Sequence, residues 1–195
     1  MTSIRMISLC ALLACLSACS TNSFRLTYKP PASIVPAAAP TISVGSFVDQ
    51  RGETATWFGA IRGGYGNPLK KLEADPSVSD LIKTAFQDGL KARSLYSTNS
   101  GGYEISGTIK KFDCSQYVRR EAHAQIDVRV IQKSTGRQVF SQTYTADELD
   151  GSLLALNVGI FASVETLRAL AEKALDEVVD KALDDSDLRY SLRST

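Results

Sequence analysis

The segment from Glu121 to Val130 alternates without a break between polar and apolar residues. Successive side chains of a β-strand point to opposite faces, so this pattern predicts a strand with one buried and one solvated face. Residues 103–110 alternate in the same way, and residues 138–145 follow a Lys133-Ser134-Thr135-Gly136 sequence that is typical of a hairpin turn. We therefore expect three consecutive strands in an antiparallel meander, an arrangement that commonly leaves one face in water.

Two other segments have the periodicity of amphipathic helices. Apolar residues recur at three- and four-residue spacing from Val78 to Leu90, behind an Asp75-Pro76-Ser77 sequence that is typical of a helix start. A second stripe runs from about Ser163 to Asp184. With residues 41–48 as the first strand, the order is β-α-β-β-β-α. This order predicts an α+β fold, a two-layer sandwich with two amphipathic helices on one face of a four-stranded, largely antiparallel sheet.

The amino-terminal end predicts export from the cytoplasm. Its only charged residue is Arg5, and the apolar run from Met6 to Leu16 is too short to span a bilayer, which takes about 20 residues. A basic start, a short apolar run and small residues after it are typical of a secretory signal peptide. We expect residues 1–18 to be cleaved, which leaves 21 bases and 21 acids. A net charge near zero gives no electrostatic reason to bind nucleic acid.

The residues around the predicted cleavage site are more specific. Leu16-Ser17-Ala18-Cys19 resembles the lipobox of bacterial lipoproteins, in which the signal peptide is cut immediately before a cysteine. The resemblance implies cleavage between Ala18 and Cys19 and a diacylglyceryl group on the Cys19 sulfur. Two or more acyl chains hold a protein firmly on a bilayer. Ser20, which stands where an aspartate would favour the inner membrane, implies the outer membrane, with the domain facing the periplasm. The alternative is a plain signal peptide in which the cysteine is incidental.

The remaining segments have no clear period. Residues 19–40 contain four prolines and no acid, which predicts a lipidated amino terminus followed by an extended Pro/Ala-rich tether. Residues 50–75 are rich in glycine and predict a long loop. The domain is then expected at residues 41–187, with a polar tail at 188–195. Cys114 is the only free thiol after cleavage and acylation, so the fold has to be stabilised by its core.

Together these features resemble the YajG-like family of bacterial outer-membrane lipoproteins. The shared features are the lipobox, the Pro/Ala-rich tether, a first strand ending in Asp49-Gln50-Arg51, the 78–90 helix, the long 122–130 strand and the final amphipathic helix. The resemblance covers roughly residues 16–190. It implies a periplasm-facing α/β module of the kind used in envelope assembly, and it supplies no catalytic residues.

Aromatic residues near the glycines are candidate contacts for a partner. Trp57, Phe58 and Tyr65 lie in the predicted loop, and aromatic side chains on loops are common anchors of interfaces. The alternative is that they fold back over the sheet edge as part of the core. We assign these three residues, together with Asp49 and Arg51, as candidate partner-binding residues.

A second candidate site is the basic part of the meander, because bases outnumber acids between residues 110 and 137. A basic strand face would suit an anionic lipid or glycan, such as lipopolysaccharide or peptidoglycan. The alternative is that these charges only keep a solvated sheet soluble and protect its edge. The candidate anion-binding residues are Lys110, Lys111, Arg119, Arg120 and Arg129.

Residues for catalysis or metal binding are scarce. His123, the only histidine, is expected on the solvated face, and Asp127 lies four residues along the strand, about 13 Å away and beyond hydrogen-bond reach. His123 and Cys114 are too few for a zinc site, and Cys114 is expected to be a small, partly buried residue. We predict no catalytic residues, no metal and no cofactor. The favoured function is a membrane-anchored, non-enzymatic binding or assembly module of the cell envelope with a protein partner. A lipid- or glycan-binding module is the alternative.

Overall fold

The computed structural model describes residues 20–34, 41–98, 101–150 and 163–193. These residues form seven strands and three helices. In chain order the elements are β1 (Ser20–Phe24), β2 (Ile42–Asp49), β3 (Trp57–Arg62), β4 (Pro68–Ala74), α1 (Val78–Ala92), β5 (Tyr103–Gln116), β6 (Arg120–Gln132), β7 (Gln138–Asp150), α2 (Val164–Leu183) and α3 (Ser186–Arg193).

All of these strands belong to one mixed sheet. Its order is β1-β4-β3-β5-β6-β7, and β2 pairs with β5 outside this row. The pairs β1/β4, β2/β5 and β3/β5 are parallel, and the pairs β3/β4, β5/β6 and β6/β7 are antiparallel. Strand β5 is long enough for two neighbours on one edge, because β2 pairs with residues 103–109 and β3 with residues 114–116.

The prediction of a four-stranded, largely antiparallel sheet is wrong. The predicted first strand and meander are present as β2 and β5–β7, but β1, β3 and β4 widen the sheet. Residues 50–75, predicted as a loop, contain β3 and β4. Alternation could not indicate β3, because its central residues 58–61 are all buried and read as a short apolar run.

Residues 20–34, expected as part of a tether, are integrated into the domain. Strand β1 pairs in parallel with β4 over all five of its residues. Beyond it, Leu26 and Tyr28 are buried. The backbone N–H of Lys29 then donates to Asp176 Oδ1 of α2 at 2.8 Å. The strand partner and the helix both lie far away in the chain, so the local composition of this segment does not reveal them.

The predicted helix starts are confirmed. Ser77 caps α1 by accepting a hydrogen bond from the Asp80 N–H, and Ser163 caps α2 by accepting one from the Thr166 N–H. Helix α2 packs on β5, β6 and β7, whereas α1 packs on β2 and α2. The short helix α3 begins at the end of the expected domain and continues into the expected polar tail, where it buries Leu188.

The meander has the predicted two faces. On β6, Ala122 to Val130 place alternate residues in the core, and the residues between them are more exposed. Within the described residues no helix covers this second face, which we call the open face. The candidate site lies on the open face where β3 and β4 join β5.

Candidate functional site: the Trp57 groove

The three predicted aromatic contacts have different environments. Phe58 is fully buried, and its ring centroid lies 6.4 Å from that of Phe24 and 6.2 Å from that of Phe112. Tyr65 is fully exposed in the hairpin between β3 and β4. Trp57, the only tryptophan, is half-buried on the open face. The choice between core and contact therefore differs from residue to residue.

Asp49 and Arg51 form a clamp behind Trp57 rather than an outward-facing pair. The Arg51 side chain is 3% exposed, and its Nε and Nη2 donate to the two carboxylate oxygens of Asp49 at 2.9 and 2.8 Å. Its Nη1 donates to the carbonyls of Trp57 (2.7 Å) and Phe112 (2.9 Å), and Nη2 also donates to the carbonyl of Thr54 (3.3 Å). All five N–H groups of the guanidinium are thus used within the chain.

This clamp positions Trp57. The hydrogen bond from Arg51 holds the pKa of Asp49 below its ordinary value, so the carboxylate stays charged at neutral pH. A charge-assisted, two-pronged pair of this kind is both strong and geometrically specific. Because Arg51 also binds the Trp57 carbonyl, it fixes the backbone from which the indole projects.

Trp57 lies between two pockets, which together we call the Trp57 groove. The smaller pocket, of about 110 Å³, lies between Glu53 and the 110–113 stretch of β5. The larger, of about 320 Å³, lies over β3 and β4, and both pockets are lined by Glu53 and Trp57. The other residues around the larger pocket are Thr54, Ala60, Arg62, Pro68, Lys71 and Glu73.

The groove combines an aromatic wall with charges of both signs. Arg62 and Lys71 contribute positive charge, whereas Glu53 and Glu73 contribute negative charge. None of these four residues was among the predicted site residues, because the segment that contains them was predicted as a loop. The alternation of Lys71 and Glu73 with buried Leu72 and Ala74 was a usable signal for β4, although a short one.

The five candidate anion-binding residues are paired with other side chains. Carboxylates lie within 4.0 Å of four of them and compensate much of their positive charge, whereas Arg129 bonds to the neutral hydroxyl of Ser106. Exposed pairs of this kind add at most about 1 kcal/mol each, and their main effect here is to neutralise the bases. The pairs are Lys110 with Gln50 (2.8 Å) and Asp127 (3.8 Å), Lys111 with Asp113 (4.0 Å), Arg119 with Glu121 (3.4 Å), Arg120 with Asp150, and Arg129 with Ser106 (3.0 Å).

His123 lies on the open face as predicted, but it has a carboxylate partner that the sequence pattern did not indicate. The strand register places Asp113, His123 and Asp147 side by side across β5, β6 and β7. The Nδ1 of His123 is hydrogen-bonded to Asp147 Oδ1. Asp127 instead accepts a hydrogen bond from Thr143 at 2.7 Å. Within the described residues, no cluster of three or more His, Cys, Asp or Glu side chains is suited to a metal ion.

Cys114 is sealed beneath β3. Burial raises the pKa of its thiol, so the group stays neutral and unreactive at physiological pH. Gly59 of β3 pairs directly with it, and a Cβ atom on Gly59 would lie 2.4 Å from the Cys114 sulfur and 2.6 Å from its carbonyl oxygen. Glycine is therefore required where these two strands approach each other.

Two predictions fall outside the described residues. Ala18 and Cys19, the predicted cleavage and acylation site, precede Ser20. The second concerns the apolar stretch from Leu153 to Ala162, between β7 and α2, for which the sequence favours a connection that crosses the core, with an exposed contact patch as the alternative. Among the helices that the structure describes, none has the length and apolar character needed to cross a membrane.

Comparison with known proteins identifies the fold rather than a family. No protein-family model matches the chain, and none of the curated proteins is significantly similar to it. Protein XCC0632 from Xanthomonas campestris, of family DUF330, aligns with a TM-score of 0.61 and 14% identity over 90% of this chain and 98% of that one. A solved structure described as an uncharacterized protein aligns with a TM-score of 0.53 and 4% identity over 83% and 98% of the two chains.

A minor lipoprotein from Acinetobacter baumannii aligns less closely. Its TM-score is 0.42 at 11% identity, over 79% of this chain and 97% of that one. The first two structures show that this arrangement of helices and sheet recurs as a complete domain. At these identities the likeness concerns the fold alone.

Proposed function

We propose that this protein is a bacterial lipoprotein, acylated at Cys19, whose domain is a non-enzymatic binding or assembly module of the cell envelope. The lipobox-like Leu16-Ser17-Ala18-Cys19 sequence supports the anchor. By the same resemblance, the domain faces the periplasm from the outer membrane. Membership of the YajG-like family stays a prediction, which rests on the lipobox, Asp49-Gln50-Arg51 and the order of elements.

The Trp57 groove is the observation that carries the binding role. Tryptophan is among the residues most often found at the energetic centre of protein interfaces. The Arg51 clamp holds the Trp57 backbone in place before any partner arrives, which lowers the entropy lost on binding. Charges of both signs around the larger pocket favour a protein segment over a purely anionic ligand. We therefore propose a protein partner with an apolar side chain flanked by charged residues.

In-cell crosslinking tests the partner. A photo-crosslinking amino acid at Thr54, an exposed position beside Trp57, is expected to capture one specific envelope protein. Trp57→Ala should reduce that capture about tenfold or more, because loss of a hot-spot residue costs about 2 kcal/mol or more. Tyr190→Ala removes an exposed aromatic side chain from α3 and is the matched control, which should leave capture unchanged. Capture that is indifferent to Trp57→Ala would contradict the proposed site.

The anchor has its own test. Mass spectrometry of the mature amino-terminal peptide should find Cys19 as the first residue, carrying the mass of its acyl chains. Cys19→Ser should remain unprocessed and fail to show that modification. A mature chain that begins elsewhere, without acylation, would rule out the lipoprotein assignment and leave the groove proposal to be judged by crosslinking alone.

A further inference from the structure

Strand directions bring several chain segments to one end of the sheet, which we call the anchor end. Strand β1 starts there, because it runs parallel to β4 with Ser20 opposite Lys70. The β3–β4 hairpin (63–67) is at the same end. The β5–β6 hairpin (117–119) joins it, because β3 runs parallel to β5 with Ile61 opposite Gln116. Strand β7, antiparallel to β6, also ends there.

Exposed hydrophobic side chains concentrate at the anchor end. Six large hydrophobic side chains are exposed among the described residues, and four of them belong to this end. Single exposed hydrophobic residues are ordinary, whereas a group of them marks an interaction surface. The four, which we call the exposed rim, are Tyr65 (102% exposed), Tyr117 (42%), Val118 (57%) and Leu149 (56%).

The rim is held together as one surface. The Tyr117 hydroxyl donates to the carbonyl of Gly64 at 2.9 Å, so the β5–β6 hairpin is tied to the β3–β4 hairpin. Neighbouring strands are about 4.8 Å apart, so a row from β4 through β3, β5 and β6 to β7 spans about 20 Å. The side chains at this end therefore form a band across the sheet rather than a single point.

The predicted acylation site is covalently next to this band. Cys19 precedes Ser20, the first residue of β1, and consecutive Cα atoms are about 3.8 Å apart. Strand β1 is an edge strand whose neighbour β4 begins at the hairpin that carries Tyr65. An acyl chain on Cys19 would thus bring the anchor end to the bilayer, with no long tether in between.

We propose that the exposed rim docks on the bilayer that holds the acyl chains of Cys19. The inference rests on the proposed acylation and extends it from an anchor to an orientation. Tyrosine suits this role because its ring is apolar and its hydroxyl is polar, as the headgroup region of a bilayer requires. The acyl chains supply the attachment, and Tyr65 and Val118 set the angle of the domain.

This orientation places Trp57, at one end of the Trp57 groove, away from the membrane. Strand β3 runs from Trp57 to Arg62 towards the anchor end, and five residues of strand span about 16 Å. The larger pocket therefore extends from near the bilayer, at Pro68 and Arg62, to the aqueous side at Trp57. A partner in the aqueous compartment would reach Trp57 without crossing the headgroup region.

Lipid-borne quenching of single fluorescent labels tests the docking. The full acylated chain is bound to vesicles of phosphatidylethanolamine and phosphatidylglycerol that carry a shallow nitroxide quencher. A thiol-reactive label is placed by Tyr65→Cys, by Val118→Cys and, as the matched control at the opposite end, by Tyr190→Cys. These sites are exposed, so the substitutions leave the core intact, and Cys114 is buried. Labels at 65 and 118 should be quenched severalfold more than the label at 190.

The outcomes separate this inference from the proposed function. Vesicle flotation and the mass of the amino-terminal peptide are measured on the same samples. An acylated, floating chain whose labels at 65 and 118 are quenched no more than the label at 190 overturns the docking but keeps the anchor. The same lack of extra quenching is expected if a second copy of this chain or another protein occupies the exposed rim, and it counts equally against docking on the bilayer. A chain that is neither acylated nor floating overturns both proposals.

Discussion

Among the residues that the structure describes, the arginine side chains of Arg51 and Arg93 are almost fully buried, and they stabilise the protein in different ways. Arg51, 3% exposed, binds Asp49 two residues before it, and it holds the loop that leads to Trp57 against the Phe112 carbonyl of β5. Arg93, 1% exposed, directly follows α1 and binds Asp180 of α2 (2.9 Å) and Asp184 (2.6 Å), which directly follows α2. The first arginine organises a site, whereas the second connects elements far apart in the chain.

The Arg93 network also holds the amino-terminal segment. Arg93 Nη1 donates to the Tyr28 hydroxyl at 3.0 Å, and that hydroxyl donates to Asp180 Oδ1 at 2.5 Å. Burial raises the pKa of Tyr28, so its phenol stays neutral and keeps donating. One guanidinium thus ties the segment after β1 to both long helices. We expect its loss to weaken the whole domain and the loss of Arg51 to act mainly on the Trp57 groove.

The largest expected effect is that of Arg93→Met. Removing one partner from a buried, hydrogen-bonded ion pair costs up to about 3–5 kcal/mol. Here Asp180 loses its cationic partner, whereas Asp184 keeps Arg189 at 2.5 Å. Urea unfolding of the purified protein, followed by circular dichroism, measures the free energy of unfolding. Lys91→Met, which removes an exposed cation from the same helix, is the control and should cost less than about 1 kcal/mol. Equal losses of unfolding free energy in Arg93→Met and Lys91→Met would contradict the stabilising role of the Arg93 network.

Arg51→Met is expected to cost less and to act locally. Loss of its charge-assisted hydrogen bonds should lower the free energy of unfolding by about 2–3 kcal/mol. Trp57 is the only tryptophan, so its fluorescence reports on the groove. Emission in the native variant should shift to longer wavelength, since Trp57 loses the carbonyl contact that fixes its backbone. Arg93→Met should leave native emission unchanged, and an unshifted Arg51→Met spectrum would refute the clamp.

Gly59→Ala tests how tightly the groove region is built against β5. The added methyl group would clash with the Cys114 sulfur and carbonyl oxygen, and overpacking of this kind costs about 1–3 kcal/mol. Gly64→Ala, where a Cβ meets nothing within 4 Å, is the matched control. Thermal unfolding compares the two. Combining Cys114→Ala with Gly59→Ala should not restore stability, because the methyl group at position 59 would still clash with the backbone carbonyl of residue 114.

The smallest effect is a pH dependence next to the Arg93 network. Burial raises the pKa of Asp176 to about 6 from an ordinary value of 3.8. The folded protein therefore holds this proton more tightly than the unfolded chain, and its stability falls as the pH rises from about 4 to about 6. Asp176→Asn removes this loss but keeps an oxygen for the Lys29 N–H.

The measurement is the urea midpoint at two pH values. Asp176→Asn should unfold at higher urea than the parent at pH 7.5, and the difference should shrink at pH 4.5. Partial exposure of Asp176 screens the effect, so we expect a small shift. Asp88→Asn, at an exposed position of α1, is the control for replacing a carboxylate by an amide. An advantage that grows at low pH would have the wrong sign and would contradict the role of burial.

Prediction from the sequence succeeded where the pattern is local. Both long helices begin where they were predicted, after Asp75-Pro76-Ser77 and at about Ser163, because a helix start depends only on residues within one turn. The meander was likewise predicted, since alternation over β6 reports directly on its two faces. Cys114 was expected to be partly buried and unreactive, and it is sealed in the core.

Prediction failed where a strand depends on distant partners. Strand β3 is buried through its centre by β4 and β5, and its Phe58 to Ile61 run carries no alternation. Of the predicted partner-binding residues, Trp57 lies in the groove, Phe58 in the core and Tyr65 at the rim. Aromatic residues of one short segment, 57–65, thus lie in three different environments, and the pairing of the strands decides which residue lies in which.

By itself, the amino-acid sequence determined the helix starts, the solvated and buried faces of the meander and the candidate lipidation signal. Each of these features depends on residues that are close together in the chain, and the spacing of those residues is enough to predict it. The tertiary structure decided the mixed sheet, the Arg93 network and the position of β1 beside the β3–β4 hairpin. These features depend on hydrogen bonds and burial between segments many residues apart, and their free energy is gained only when the whole sheet forms.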